Sequence, residues 1–182
     1  MKLLTNDVEY RTIGADEINR KLFSDFRRRQ KVTTCLRLVD GTWRERDDPF
    51  VDDWSEKDYR FLIECLRNTL RKGGAVFGAF IGGSLKGFAS VEGEFFGKNS
   101  RYLDLSSLHV SEELRGNGIG NMLFQQAKQW AKSRGADKLY ISSHSAIESQ
   151  AFYRAMLCTD ASEPNAEHIK KEPFDRQLEC GL

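Results

Sequence analysis

The chain has 182 residues, 40% of them hydrophobic and 30% charged, with a mean hydropathy of -0.55, and that length suits about one domain with a core of its own. Lys and Arg total 28 against 27 Asp and Glu, a net charge of +1, so no overall field draws in nucleic acid or an acidic membrane surface. No apolar run approaches the ~20 residues of a membrane span, and the apolar start is too short for a signal peptide. The scattered cysteines Cys35, Cys65, Cys158 and Cys180 form no CxxC pair, which disfavours a disulfide scaffold or zinc site and fits reduced thiols in a cytoplasm.

One domain over residues 1–182 is expected, because no repeat or Pro/Gly-rich linker divides the chain. Residues 8–13 read as a short strand. Ile18, Leu22, Phe23 and Phe26 recur at helical spacing, which predicts a helix over 16–30 ending in a basic run, Arg27, Arg28 and Arg29. Residues 31–54 read as irregular, with Trp43, Phe50 and Trp54 among acidic pairs. Ser55 and Asp58 suggest a capping box opening a helix, whose apolar stripe is Tyr59, Leu62, Ile63, Leu66 and Leu70. Gly73 and Gly74 end it.

Residues 75–81 and 85–96 are apolar runs about Gly82 and Gly83, a hairpin signal. Residues 102–110 form another strand, and a helix over 116–134 follows, with Ile119, Met122, Leu123, Ala127, Trp130 and Ala131 on its buried face. A strand over 139–142, a helix over 147–156 and a last strand over 176–180 complete the chain. The fold class is α/β with a mixed sheet, in the order β-α-α-β-β-β-α-β-α-β, and the late βαβ unit implies a parallel pair with a right-handed crossover.

Within 103–110 the apolar residues change parity. Leu103 and Leu105 share one strand face, while Leu108 and Val110 fall on the other. Either a bulge near Ser106 and Ser107 brings all four to one core, or the strand is buried on both faces. Shortly after it comes Arg115-Gly116-Asn117-Gly118-Ile119-Gly120, leading into a helix whose first N–H groups and dipole favour phosphate. A dinucleotide-type GxGxxG would need glycine where Asn121 stands, and no GxxxxGK[ST] occurs.

The segment LHVSEELRGNGIGNMLFQQAKQWAKSRGADKLYISSHSAIESQAFYRAM resembles the core of the GNAT superfamily of acyl-CoA N-acyltransferases. Arg115, Gly118 and Gly120 match that family's pyrophosphate loop, Gly116 is its frequent extra glycine, and Phe152 and Tyr153 match its FY pair. The resemblance covers about 76–160. It implies the GNAT fold and acetyl-CoA as acyl donor, gripped by Arg115, Gly116, Asn117, Gly118, Ile119 and Gly120, with the thioester against the backbone of Leu108, His109 and Val110. The family's pantetheine-binding Asn is absent, with Ser142, Ser145 and Ser149 as nearby polar substitutes. Leu157 stands where the family's FY helix ends in glycine.

The implied reaction is direct N-acetyl transfer to a primary amine of a small molecule or peptide. The Val110 N–H would donate to the developing oxyanion. Asp104 is the first candidate for proton acceptor, with Glu92 and Glu94 as rivals acting through water. Tyr153 would return a proton to the thiolate, or else simply pack in the core. His109, flanked by apolar neighbours, is expected to face away and serve the fold. His109, His144 and His168 have no ligand spacing, so no metal is implied. A catalytically silent acyl-CoA-binding sensor or scaffold is the alternative function, and a homodimer stays open.

Overall fold

Ala75–Ile81 (β4) and Ser84–Val91 (β5) fold back on one another about Gly82 and Gly83. Those residues take φ of 55° and 81°, the left-handed pair that matches the twist of a tight hairpin. In the computed structural model residues 7–182 are described, and residues 1–6, the apolar start considered above, lie outside them. The hairpin sits inside a seven-stranded mixed sheet that also contains Glu9–Thr12 (β1), Tyr102–Val110 (β6), Lys138–Ser143 (β7), Thr159–Asp160 (β8) and Arg176–Gly181 (β9). The strand order is β1-β4-β5-β6-β7-β9-β8, with β6 and β7 parallel. Their crossover is the helix Ile119–Ser133 (α2), which Gly135 stops at φ 88°, as the βαβ reading anticipated.

Each face of the sheet has its own core. Ala79, Ala89, Val91, Leu103, Leu105, Leu139, Ile141 and Leu178 pack under α2 through Ile119, Leu123, Phe124, Ala127 and Ala131. Met122, expected on that buried face, is 48% exposed, and Phe124 takes the interior place instead. The opposite face carries the helix Glu56–Arg71 (α1), with Tyr59, Leu62, Ile63 and Leu66 against Val76, Phe80 and Phe88. Its capping box is formed: Ser55 Oγ accepts from the Asp58 N–H at 3.4 Å, and Asp58 Oδ2 accepts from the Ser55 N–H at 2.7 Å.

The first third differs from the expected order. No helix covers 16–30. Two short 3-10 turns, Ala15–Glu17 and Arg20–Phe23, stand there. Asn19 Oδ1 accepts from the N–H groups of Lys21 and Leu22, a local arrangement that competes with a continuous helix. Ile18, Phe23 and Phe26 are nevertheless buried in the α1 core; their spacing marked burial correctly and helix wrongly. Residues 31–54 are not irregular either. Arg29–Val39 (β2) and Thr42–Asp53 (β3) form a separate hairpin. Its two-residue turn is Asp40 and Gly41, at φ 49° and 75°, the Asp-Gly pair that suits a tight hairpin turn. Nearly all of β3 is exposed, which left its charge-rich run without the alternation that announces a strand. Pro49 falls within the register shift between Val32, paired with Phe50, and Thr34, paired with Asp47, where no ladder N–H is required of it.

Two further elements, β8 and the short helix Ala166–Lys171 (α4), were not foreseen. The helix Ile147–Ala155 (α3) ends with Leu157 at φ 62°. The Cys158 N–H reaches the Tyr153 carbonyl and the Leu157 N–H the Arg154 carbonyl, each at 3.0 Å, the paired bonds of a Schellman turn. A leucine therefore occupies the position that glycine suits. Its side chain is 83% exposed, so little packing compensates a left-handed cost of about 1–2 kcal/mol. Leu157→Gly is expected to stabilise the fold by about 1 kcal/mol after glycine's entropy loss, a Tm rise of roughly 2–4 °C readable by calorimetry.

Candidate active site

The cleft begins where two strands part. β6 and β7 pair from Tyr102 with Lys138 to Asp104 with Tyr140. Beyond Asp104, β6 continues to Val110 paired with β5 alone. The register against β5 shifts at this point: Ser107 opposes Ser90 and Leu105 opposes Val91, leaving Ser106 as the extra residue. This is the bulge alternative, and Leu103, Leu105, Leu108 and Val110 all pack toward the α2 core. The Ser111 N–H donates to the Lys86 carbonyl at 2.8 Å, so by the alternation of an antiparallel ladder His109 spends its backbone groups on Phe88. Leu108 and Val110 turn theirs into the gap. Of the three residues expected to present backbone to a ligand, His109 contributes no free backbone group.

A cleft of about 850 Å³ fills this gap and passes from one face of the sheet to the other. On the α2 side it is lined by Leu108, Val110, Arg115, Gly116, Gly118, Ile119, Gly120, Ser149, Phe152 and Tyr153. The Gly118 N-cap takes φ 81°, Gly116 takes φ 78°, and the first bond at the head of α2 runs from the Met122 N–H to the Gly118 carbonyl at 3.2 Å. Among the described residues no N–H from Gly116 to Asn121 donates to another backbone group. Such a run of free donors at a helix N-terminus is a cradle for a diphosphate. A Cβ built on Gly116 or Gly118 meets nothing within 4 Å, so the space over the loop is open for a ligand. Arg115 Nε donates to the Val110 carbonyl at 3.2 Å, fixing the guanidinium between strand and loop. Asn117 turns its side chain back to the Leu114 and Arg115 carbonyls, which braces the loop. These residues fit the diphosphate and pantetheine of coenzyme A.

Tyr153 lies on α3 against Phe124 and Phe152, with ring centroids 6.1 and 5.1 Å away. The residue lines the cleft, and its hydroxyl has no hydrogen-bond partner among the described residues. Burial pushes its phenol above the usual range, so it stays protonated. Of the serines considered for pantetheine, Ser149 lines the α2 side, and Ser145 is buried against Arg37. Ser142 lies at the far end, hydrogen-bonded to Asp175.

The opposite side is walled by the β2–β3 hairpin, which reaches the sheet through the Leu36 N–H to Ser145 carbonyl bond at 2.7 Å and the packing of Val32 and Cys35 on Ala146. It brings Arg28, Gln30, Lys31, Asp52 and Trp54 to the cleft. Arg28, 8% exposed, pairs through Nη2 with Asp52 at 2.8 Å and donates from Nε to His109 Nδ1 at 3.2 Å. Its Nη1 has no partner. His109 is enclosed by Arg28, Trp54 and Phe88, and burial with the neighbouring Arg28 and Arg115 charges drives its pKa down to about 3. It is a neutral acceptor for Arg28, and instead of facing away it lines the cleft.

Asp104 does not line the cleft; its Oδ2 accepts from His168 Nε2 at 2.8 Å, and this bond raises the imidazole pKa. Glu92 accepts from Thr69 Oγ1 at 2.7 Å and from Ser106 Oγ at 2.6 Å, one hydroxyl removed from the cleft. Glu94 pairs with Lys72 at the surface. Arg28 and Asp52 belong to the basic run and the acidic pairs noted in the sequence, and the unrecognised strands beside them hid that they meet in the cleft. Glu172 and Asp175, which follow an unforeseen helix, are the residues that sequence reasoning missed.

Comparison with known proteins adds to this geometry. Residues 39–157, more than half of the chain, match the family described as Acetyltransferase (GNAT) family. None of the curated proteins matches. Among solved structures, nourseothricin acetyltransferase is 20% identical with a TM-score of 0.66, covering 95% of this chain and 96% of its own. A protein described as a streptothricin acetyltransferase from Bacillus anthracis str. Ames, in complex with acetyl coenzyme A, is 15% identical with a TM-score of 0.72, covering 96% and 98%. PaiA N-acetyltransferase from Thermoplasma acidophilum, in complex with coenzyme A, is 14% identical with a TM-score of 0.57, covering 96% and 99%. At these identities the likeness is one of fold.

Proposed function

The chain belongs to the GNAT acetyltransferase family, and on that premise we propose that it transfers an acetyl group from acetyl-CoA to a primary amine by direct attack. The observation that carries this is the glycine loop, whose free N–H groups at the head of α2 open on the same cleft as the parted edge of β6 and the Tyr153 hydroxyl. Acetyl-CoA, when bound, supplies an activated acyl carbon and a thiolate leaving group.

The chain's own residues divide the remaining work. Gly116, Asn117, Gly118, Ile119 and Gly120 hold the diphosphate through backbone N–H groups, and Arg115 adds charge. The exposed edge of β6 at Leu108 and Val110 aligns the pantetheine arm, and Ser149 offers it a hydroxyl. The Val110 N–H faces the gap, where it stabilises negative charge on the thioester oxygen without reorganising. Tyr153, protonated at working pH, gives its proton to the departing sulfur. The acceptor enters from the hairpin side, past Trp54, Lys31 and Asp175.

Calorimetric titration of acetyl-CoA, with coenzyme A and NADH as controls, tests the first half. Binding of both coenzyme A species in the micromolar range without NADH binding is the expected result; no binding would remove the reading. A panel of primary amines tests the second half. Donor binding with no turnover on any amine would favour the silent sensor instead.

A further inference from the structure

We propose that Asp175 is the proton acceptor for the attacking amine, an assignment that rests on the transferase reading above. A primary amine with pKa near ~10.4 arrives as its ammonium ion and must lose a proton before its lone pair can attack. The acceptor of that proton must line the cleft, have a free lone pair there, and not be committed to an ion pair.

Elimination among the titratable residues of the cleft leaves one group. Arg28, Lys31 and Arg115 are donors. His109 Nδ1 already accepts from Arg28 at 3.2 Å, and His144 Nδ1 accepts from the Ala146 N–H at 3.0 Å; a ring whose Nδ1 accepts has its proton on Nε2, so neither offers a lone pair to the cleft. Asp52 is held by Arg28 at 2.8 Å. Glu148 is exposed on the first turn of α3, beside Ser149 on the coenzyme side. Tyr153 is already assigned as a donor. Glu172 and Asp175 remain, both on the acceptor side, and Glu172 is exposed.

Asp175 is the partly buried member of that pair, and it is positioned. Ser142 Oγ donates to Asp175 Oδ2 at 3.1 Å, and Gln177 Nε2 donates to Ser142 Oγ at 3.0 Å. Gln177 is held in turn by Tyr140, whose hydroxyl donates to its Oε1 at 2.6 Å while accepting from the Asn165 N–H at 2.8 Å. This chain ties the carboxylate to β7, β9 and the cap of α4. Burial raises the Asp175 pKa, which brings a carboxylate closer to the working pH of a general base. The charged and titratable groups around it are His144 beyond β7, His168 on α4, Glu172 just past the end of that helix, and Tyr153 on α3. Glu172, at the mouth, adds a second negative charge that favours entry of the ammonium form.

The balance is complete. The nitrogen of the ammonium ion gives one proton to an Asp175 oxygen, which releases it to water. The lone pair so freed forms the C–N bond as the C–S bond breaks. The second nitrogen proton leaves as the amide forms, and the sulfur receives one from Tyr153, which is replenished from the same pool. The net products are amide, thiol and one proton.

The test compares Asp175→Asn with the wild type on the best acceptor in a panel of primary amines, and on trifluoroethylamine, which is largely neutral at pH 7. On the basic amine kcat/KM should fall roughly 100-fold or more, with acetyl-CoA affinity within twofold. On the weakly basic amine the loss should be much smaller. The acid limb of the wild-type profile should move to higher pH in Ser142→Ala, because that variant removes a hydrogen bond to the charged carboxylate. This second variant keeps the assignment testable if Asp175→Asn misfolds. Equal activity of Asp175→Asn and wild type, or equal losses on both amines, overturns the assignment and leaves the transferase reading standing. A wild type idle on every amine overturns that reading, and this assignment with it. Glu92→Gln, which leaves Asp175 untouched, should keep most of the activity; a larger loss there than in Asp175→Asn would move the role to the Glu92–Ser106 path.

Discussion

Gly118→Glu should weaken acetyl-CoA binding by roughly 100-fold or more, the largest effect expected of any single substitution in the loop. Two costs combine. Gly118 has φ 81°, and a residue with a Cβ pays about 1–2 kcal/mol to stay there. The added carboxylate also faces the bound diphosphate, and unit charges ~5 Å apart at an effective dielectric of ~20 repel by about 3 kcal/mol. That second term alone exceeds the 1.4 kcal/mol that each tenfold requires. Steric crowding from the protein is not the cause, because a Cβ at Gly118 meets nothing within 4 Å. Gly118→Ala keeps the backbone cost and drops the charge, so its loss should be several-fold only. Gly41, at φ 75° in the β2–β3 turn and equally uncrowded, gives the control: Gly41→Glu shares the strain and should leave the affinity unchanged. Undiminished binding in Gly118→Glu would sink the diphosphate cradle.

What the sequence disclosed about this protein follows from where physical signals are local. The loop and the head of α2 were readable because glycines at fixed offsets before an amphipathic helix have few other uses. The bulge was readable only as one of two explanations for a change of parity, since Leu103 and Leu105 cannot share a flat strand face with Leu108 and Val110 but a strand buried on both faces would show the same pattern; the register against β5 decides between them. The α1 boundaries were set by Ser55, Asp58 and Gly73, each acting within one turn. The acceptor side was hidden because it depends on pairing at a distance. β3 is a strand only through β2, and β2 owes its place to Ser145 and Ala146 more than a hundred residues later. Arg28, read as part of a solvated helix end, becomes a buried wall of the cleft once that helix gives way to turns. Asp104 looked suitable by its distance from the strand end; its partner His168 sits on α4, a six-residue helix with too little periodicity to announce itself. Asp175 carries no local signal. Its role depends on Ser142 and Gln177, which only the sheet order β6-β7-β9 brings beside it.

Tyr153→Phe should lower kcat by roughly 100-fold while leaving acetyl-CoA affinity and Tm nearly unchanged. The size sits at the low end for acid catalysis because a thiol of pKa ~8.5 is already a good leaving group. The substitution is clean on structural grounds. Phenylalanine keeps the edge-on contacts to Phe124 and Phe152, and the lost hydroxyl has no partner in the protein to leave orphaned. The pH dependence sharpens the assignment. Burial raises the Tyr153 pKa, so the phenol is in its donor form below that raised value and the group imposes no basic limb within an ordinary assay range. Tyr153→Phe should therefore depress the whole kcat profile without changing its shape, whereas Asp175→Asn should remove the acid limb. A thioester with a better leaving group than coenzyme A needs less help from an acid, and the variant should lose less on it. Unchanged turnover would return Tyr153 to a packing role. An equal loss in donor affinity would mean that the hydroxyl holds the pantetheine arm rather than protonating the sulfur.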